Sequence, residues 1–260
     1  MIAIGVTIAL LATAGTATSV SVPSDDRAQP PNVPPVLDGV PPEEAPPSVT
    51  FEFPAKGGIP GPPPGKGPGK EEEQGKGYKL FKGGVKILST PSTFMINPSN
   101  DDIDNENLVI SGIVEAFEVW DENVGVNIHE YGGRTNTVGS VYNGENGISF
   151  VSIDGSGGTV ARATIWYTNK GKNVVEYDIV FDLGDNYGVD LDGEENGFTL
   201  ENAFDLRNVA THEAGHTLVL EDLYEDKYSE MTMYGYTTPG ETKKRSLEWG
   251  DSDGIHELYG

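Results

Sequence analysis

Apolar residues recur at helical spacing in one long segment near the middle of the chain. Acidic residues load the first turn of residues 104–123, and the apolar positions that follow are Ile110, Ile113, Val114, Phe117 and Trp120. This spacing predicts an amphipathic helix whose apolar face packs on a core. A second helix is predicted to begin near Ala203 or Asp205, and a last helix covers GDSDGIHELYG, with Asp251 as its N-cap.

Short runs rich in β-branched and aromatic residues lie between the first two predicted helices. These runs are VNIHEY, GISFVSI, TVARATIWYT and NVVEYDIVFDL, and turn residues separate them. An earlier run, GVKILST at residues 84–90, predicts a strand before the first helix. A strand, a helix, several strands and two late helices together predict an α+β domain, similar to an α/β sandwich, with a twisted mixed sheet.

The N-terminal part of the chain shows neither pattern. Fifteen of the eighteen prolines lie between Pro23 and Pro68, and such a stretch cannot bury enough apolar surface to offset the entropy of ordering. We predict that residues 23–77 form a disordered Pro/Gly-rich linker or a pro-segment. Residues 78–260 are then the folded domain, which is long enough for a single core.

Residues 1–22 differ again, because they carry no charged side chain and end in small residues. This composition predicts a cleaved signal peptide, with a cleavage pattern at residues 12–14. An uncleaved signal anchor is the alternative, since the segment is just long enough to span a bilayer. Either interpretation puts the folded domain outside the cytoplasm, as a secreted or a membrane-anchored protein.

Charge and cysteine content exclude several classes of function. The formal net charge is −24, which argues against nucleic acid and anionic membrane surfaces as partners. The chain contains no cysteine, so a disulfide framework, a thiolate metal site and a catalytic cysteine are excluded. We expect protein or peptide partners and a monomer, with a membrane as partner only if residues 1–22 are an uncleaved anchor.

The sequence THEAGHTLVLEDL at residues 211–223 carries the strongest candidate chemistry. His212 and His216 are four positions apart, so on a helix both imidazoles lie on one face and can bind one ion. Glu213 lies about 100° around the helix from His212, where it can reach a water on the ion as a general base. Taken alone, the motif also fits a helix with two idle histidines.

Asp222 is the candidate third ligand, because a catalytic zinc ion usually has three protein ligands and an open position. It lies six residues beyond His216 and reaches the same ion only if the helix stops and the chain doubles back, a turn that normally uses glycine. Val219 would take that conformation at a cost of about 1–2 kcal/mol. We therefore expect a functional but strained site and expect Val219→Gly to raise zinc affinity or thermal stability. The alternative is a helix that runs on and misplaces Asp222.

Three segments together resemble the matrixins, the matrix-metalloprotease branch of the metzincin zinc proteases. HEAGHTLVLED resembles the HExxHxxGxxH/D signature, here as an HExxHxxxxxD variant. MTMYGYT resembles the Met-turn, and LEWGDSDGIHELYG is similar to the closing helix. EAFEVWDEN and EYDIVFD resemble the first helix and the fourth strand of the family, so the resemblance covers residues 78–260.

The resemblance implies a metzincin-type catalytic domain with a twisted mixed sheet, a long first helix, an active-site helix, a Met-turn and a C-terminal helix. The zinc ligands that it implies are His212, His216 and Asp222. Glu213 would be the general base, and Met233 would be the methionine beneath the metal, with Met231 as the rival. An ordinary core methionine is the alternative for Met233. The strand GTVARATI would form the edge of the cleft and pair with an extended substrate.

The sequence departs from the family pattern in two respects. Matrixins usually hold a second, structural zinc through three histidines and an aspartate, but only His129 and His256 remain in this chain, and Arg162 stands about where one of those ligands would be. Matrixin precursors often block the zinc with a cysteine, and this chain contains no cysteine. An inhibitory N-terminal segment would therefore have to act in another way.

An acidic loop after the last predicted strand is a candidate calcium site, with a solvated acidic loop as the alternative. Its carboxylates are Asp182, Asp185, Asp190, Asp192, Glu194 and Glu195. An EF-hand is excluded, because Glu195 takes the position that requires glycine.

These features predict a secreted zinc-dependent endopeptidase with one catalytic Zn²⁺ and with Ca²⁺ as a second candidate ion. It would hydrolyse peptide bonds through a zinc-activated water with Glu213 as general base. The alternative is a catalytically weak, metzincin-like extracellular binding module. The presence of Glu213 argues against this alternative, because a decayed enzyme has no need of the base.

Overall fold

The computed structural model describes residues 45–57, 75–168, 170, 173–189 and 202–260. The predicted signal segment, residues 1–22, and most of the predicted spacer lie outside the described residues. Within the described ranges, no helix has both the length and the apolar character needed to cross a membrane.

The described residues form a seven-stranded mixed sheet, a separate two-stranded pair and three α-helices. The strands are β1 (Ser48–Pro54), β2 (Lys86–Ile87), β3 (Ser92–Ile96), β4 (His129–Arg134), β5 (Asn146–Val151), β6 (Thr159–Tyr167), β7 (Asn173–Asp182), β8 (Tyr187–Gly188) and β9 (Phe204–Asp205). The helices are α1 (Glu106–Val124), α2 (Leu206–Thr217) and α3 (Trp249–Tyr259).

The strand order of the large sheet is β1-β6-β7-β5-β3-β4, with β2 beside β7, so β1 forms one edge. Strands β7, β5, β3 and β4 run parallel to one another, whereas β6 runs antiparallel to β7, and β1 runs antiparallel to β6. This mixed sheet with three helices confirms the predicted α+β fold.

Helix α1 confirms the amphipathic helix predicted over residues 104–123. Asn105 is its N-cap and accepts a hydrogen bond from the Asn107 amide, and Gly125 ends it with φ 66°. The buried face includes Ile113, Phe117 and other residues at the predicted spacing. Since this face packs on α2 and the sheet, the local apolar pattern and the tertiary contacts agree.

Helix α2 lies in the centre of the domain, and all its residues except Arg207 are buried. It begins within the predicted region, and Asp205 is its N-cap, accepting a hydrogen bond from the Asn208 amide at 2.7 Å. The Trp120 indole of α1 donates to the Thr211 carbonyl at 2.9 Å. A helix buried on all sides provides a rigid base for side chains that must be held accurately.

Two predicted elements are corrected by the structure. The strand expected over residues 84–90 is limited to Lys86–Ile87, and the longer strand is Ser92–Ile96. Prolines flank that strand in the sequence, but it lies between β4 and β5, so pairing on both sides stabilises it. The N-cap of α3 is Glu248, whereas Asp251 is the third residue of the helix in a capping box.

The prediction of a disordered linker over residues 23–77 is corrected at its centre. Residues 48–54 form β1, whose sequence SVTFEFP places Val49, Phe51 and Phe53 at the period of a strand. Both phenylalanines have no exposed surface. The surrounding prolines obscure this alternation when the composition is averaged over the whole segment.

Candidate metal centre

His212, His216 and Asp222 converge on one point, as the sequence predicts. The two imidazole Nε2 atoms are 3.2 Å apart. Asp222 Oδ1 lies 3.2 Å from Nε2 of His212 and 3.3 Å from Nε2 of His216. Within the described part of the chain, this is the only group of three such side chains that could hold a metal ion.

Backbone carbonyls fix the orientation of both imidazoles. Nδ1 of His212 lies 2.7 Å from the Thr232 carbonyl, and Nδ1 of His216 lies 2.7 Å from the Leu220 carbonyl. A carbonyl oxygen only accepts, so each Nδ1 carries the proton and donates it. Each Nε2 is therefore left with a lone pair that faces the centre of the group.

This arrangement of atoms fits a zinc ion. Zinc–nitrogen bonds of about 2.0–2.1 Å in a tetrahedron place neighbouring ligand atoms about 3.3 Å apart, which matches the three separations. Two nitrogen lone pairs and a carboxylate oxygen repel each other without a cation between them. Burial lowers the pKa of His212 to about 4, so its imidazole is neutral at pH 7, the form that binds metals.

The turn that brings Asp222 to this group is the left-handed turn predicted at Val219. Val219 has φ 61°, one of two non-glycine residues with positive φ in the described ranges. The Leu220 amide donates to the Gly215 carbonyl at 3.2 Å, and the Val219 amide to the His216 carbonyl at 2.8 Å. These two bonds form a Schellman motif with valine at the position that usually holds glycine. The prediction that the helix stops and doubles back is confirmed.

Asp222 is held from both sides after the turn. The Glu221 amide donates to the Lys79 carbonyl at 2.8 Å, and the Leu223 amide to the Met233 carbonyl at 2.8 Å. The Tyr224 hydroxyl donates to Asp222 Oδ2 at 3.1 Å, which leaves Oδ1 for the histidine side.

Glu213 is fully buried beside this group, and neither carboxylate oxygen has a hydrogen-bond partner among the described residues. Burial raises the pKa of Glu213 well above its ordinary value, the charge of Asp222 adds to this, and Arg162 opposes it. A buried carboxylate without partners is costly for stability. Glu213 is therefore a candidate for a role in binding or proton transfer.

Met233 lies directly against α2, as the resemblance implies. A Cβ atom at Gly215 would collide with Met233 Sδ and would lie 2.7 Å from Trp120 Cζ2. Met233 is fully buried, and the rival Met231 belongs to a separate apolar cluster. The missing side chain of Gly215 therefore lets the Met-turn approach the helix between the two histidines.

Asp251 of α3 anchors the Met-turn. Its carboxylate accepts hydrogen bonds from the Thr232 amide at 2.8 Å and the Met233 amide at 3.0 Å. Since the Thr232 carbonyl orients His212, a residue of the last helix acts on a candidate ligand through one peptide unit. The sequence pattern identified Asp251 only as a cap and gave no signal for this contact.

The remaining histidine within the core has a structural role. Nδ1 of His129 lies 2.9 Å from Asp121 Oδ1, and Nε2 lies 3.0 Å from Thr217 Oγ1. His129 therefore links α1 and β4 to the end of α2. Arg162, predicted at the place of a missing second-zinc ligand, forms an ion pair of 3.1 Å with Glu52 of β1.

Two of the six candidate calcium carboxylates lie in the described residues, and both bind backbone amides. Asp182 accepts four amide hydrogen bonds at 2.8–3.1 Å, from Ile153, Asp154, Gly155 and Gly184. Asp185 accepts one from Gly157 at 2.9 Å. The other four, Asp190, Asp192, Glu194 and Glu195, lie outside the described residues, so the calcium site stays a prediction.

Sequence reasoning missed the side chains that cover the histidines. Phe53 of β1 stacks on His212 with ring centroids 3.6 Å apart, and Phe51 stacks on His216 at 4.3 Å. The signal was present as the apolar alternation in SVTFEFP. Tyr224 was also missed, because nothing in the local pattern indicates which hydroxyl reaches Asp222.

The fold and the HExxH–Asp group with its Met-turn define a metzincin-type zinc-protease domain. The family model described as matrixin matches residues 88–260. The chain therefore belongs to the matrixin family of metalloproteases. Comparison with curated proteins finds no match for the chain.

Proposed function

We propose that the protein is a zinc-dependent endopeptidase. The observation that carries the proposal is the convergence of three buried acceptor atoms within 3.2–3.3 Å of one another. Beside them on the same helix, the buried carboxyl group of Glu213 has no hydrogen-bond partner within the described ranges. Membership of a metalloprotease family supports the same conclusion.

His212, His216 and Asp222 would hold the ion. Zinc bound there supplies a Lewis acid that polarises a carbonyl and lowers the pKa of a water molecule. Glu213 would act as the general base and would return the proton to the leaving amine. A bound divalent cation opposes the effects that raise the pKa of Glu213, so the ionised base is favoured in the loaded site.

The open position of the site distinguishes this proposal from a structural zinc site. Structural zinc sites are usually closed by four protein ligands, whereas the described residues provide three. The second candidate, a binding module of low catalytic activity, is disfavoured by the presence of Glu213 on the same helix as the two histidines, because a module without catalysis has no need of a general base.

Protein or peptide substrates are proposed on the same basis. Export from the cytoplasm is also a proposal, and it rests on the uncharged, small-residue composition of residues 1–22. Its alternative is an anchor that keeps the domain outside the cell at the membrane.

The test compares the wild type with Glu213→Gln, which preserves the shape of the buried side chain. Both proteins carry an engineered recognition sequence for a second, specific protease within residues 58–74. That protease cuts the sequence first, and cleavage of an unfolded substrate protein is then measured. We expect Glu213→Gln to lower the cleavage rate by about 10²–10⁴-fold, the usual contribution of a general base. Equal rates for the two proteins would contradict the proposal.

A further inference from the structure

Strand β1 occupies the edge of the sheet beside the metal site. It pairs antiparallel with β6 from Ser48 opposite Trp166 to Pro54 opposite Thr159. Without β1, β6 would be the edge strand, with unpaired backbone groups along its length. An extended peptide binds such an edge by strand addition, so β1 occupies a peptide-binding position.

The segment is bound on its other side as well. The Lys56 amide donates to the Thr237 carbonyl at 2.7 Å, and the Thr237 amide donates to the Pro54 carbonyl at 3.3 Å. Ala55 and Thr237 form a parallel bridge, just after the Met-turn. Residues 47–56 therefore run through a cleft between β6 and the chain that follows Met233.

Aromatic side chains of β1 cover both candidate zinc ligands. Phe51 and Phe53 are two positions apart, so both side chains point to the same face of the strand. Their rings are nearly parallel to the imidazoles of His216 and His212, with interplanar angles of 6° and 11°. The exposed fractions of His212, Glu213 and His216 are 0%.

A peptidase in this state cannot admit a substrate to its metal. The covering segment also lies outside residues 88–260, which match the family model. It therefore covers the candidate site from outside the matched region. The contacts are hydrogen bonds, stacked rings and the Glu52–Arg162 ion pair, all of which are reversible.

We propose that residues 45–57 are an internal pseudo-substrate that inhibits the peptidase until it is displaced. The proposal rests on the proposed function and extends it to regulation and substrate class. The positions of Phe51 and Phe53 become two subsites when β1 leaves. The preferred substrates are extended peptides with large aromatic residues two positions apart, which pair with β6 as β1 does.

The tether between β1 and the domain makes this inhibition effective. A segment on a short linker reaches an effective concentration in the millimolar range. Cutting the linker changes the contact from intramolecular to intermolecular, so dilution then releases the segment. This arrangement inhibits without a cysteine, a residue that the chain does not contain.

The experiment uses the full chain with a protease recognition sequence inserted within residues 58–74. Cleavage of an unfolded protein is measured before cutting, after cutting and dilution, and after adding a synthetic peptide of residues 45–57. Two variant peptides are compared: Phe51→Ala/Phe53→Ala, and the matched control Ser48→Ala/Thr50→Ala on the opposite face. A fluorescent peptide 45–57 reports binding to the cut Glu213→Gln chain independently of cleavage.

We expect cutting and dilution to raise activity at least tenfold and the native and control peptides to restore inhibition. The peptide without the two aromatic rings should inhibit at least tenfold less well. Equal activity before and after cutting, or equal inhibition by all three peptides, would overturn the proposal. Failure of the proposed function would look different: neither form cleaves, while the fluorescent peptide still binds through Phe51 and Phe53.

Discussion

At Val219 the backbone has φ 61°, and the side chain is buried with an exposed fraction of 1%. The left-handed conformation costs an ordinary residue about 1–2 kcal/mol. Burying a valine side chain contributes about 1.5–3 kcal/mol. The expectation that Val219→Gly raises thermal stability is therefore revised, because glycine relieves the strain but removes the packing.

A comparison of Val219→Gly with Val219→Ala isolates the free-energy cost of the left-handed backbone at this position. Both variants lose the buried methyl groups, but only alanine retains the Cβ that is unfavourable at positive φ. We expect the glycine variant to have the higher free energy of unfolding by about 1 kcal/mol, the reverse of the usual preference for alanine. Denaturant unfolding with a chelator present measures this difference without metal binding. An alanine variant of equal or higher stability would show that the turn is not strained.

The hydroxyl of Tyr224 binds the second carboxylate oxygen of Asp222, and a mutation can test whether this contact contributes to zinc binding. Tyr224→Phe removes the hydroxyl that lies 3.1 Å from Asp222 Oδ2 and keeps the ring. We expect zinc affinity, measured by competition with a chromophoric chelator, to fall about 10–100-fold, as is typical when a partner of a metal ligand is lost. The control is Tyr234→Phe, whose hydroxyl bonds Asp226 instead. Equal affinities for the two variants would contradict this role.

At the scale of the secondary-structure elements, the end of β7 binds the loop that connects β5 to β6. Asp182 accepts amides from Ile153, Asp154 and Gly155 of that loop. Burial would raise the pKa of Asp182, but the amide donors outweigh it and hold the pKa below the ordinary value of 3.8. The ionised carboxylate thus stabilises the loop beside the cleft.

The stability that Asp182 provides should depend on pH. Because its folded-state pKa is lowered, the contribution is present above the ordinary value and is lost as the pH falls through the folded-state pKa. We expect Asp182→Asn to lower the free energy of unfolding by about 2–3 kcal/mol at pH 7, and we expect this gap to narrow in acid. Urea unfolding from pH 7 downwards measures the gap, with the exposed Asp253→Asn as control. A gap that stays constant with pH would argue against an ionised Asp182.

Elements with a strong local pattern could be predicted from the sequence, and elements that depend on pairing could not. The spacing of Ile113, Phe117 and Trp120 fixes the buried face of α1, which local physics alone explains. Strand β3 has weak local signals and forms because β4 and β5 lie on either side of it. The same holds for β1, whose alternation is short and whose partner lies more than a hundred residues away.

At the scale of the whole molecule, the part of the candidate site that lies on a single helix could be predicted from the sequence. The spacing of His212 and His216 places both ligands, and the turn at Val219 accounts for Asp222. The sequence could not indicate that Asp251 holds the Met-turn or that Phe51 and Phe53 cover the histidines. These contacts join segments far apart in the chain, and only the assembled fold brings them together.

The most direct test of the central claim measures bound zinc and peptide cleavage on the same preparations. The proteins are the wild type, Glu213→Gln and Asp222→Ala, each with the linker cut within residues 58–74. We predict one zinc ion per chain with cleavage for the wild type, one zinc ion without cleavage for Glu213→Gln, and loss of both for Asp222→Ala. A wild type that cleaves without zinc, or a Glu213→Gln variant that cleaves as fast as the wild type, would contradict the claim that the protein is a zinc-dependent endopeptidase.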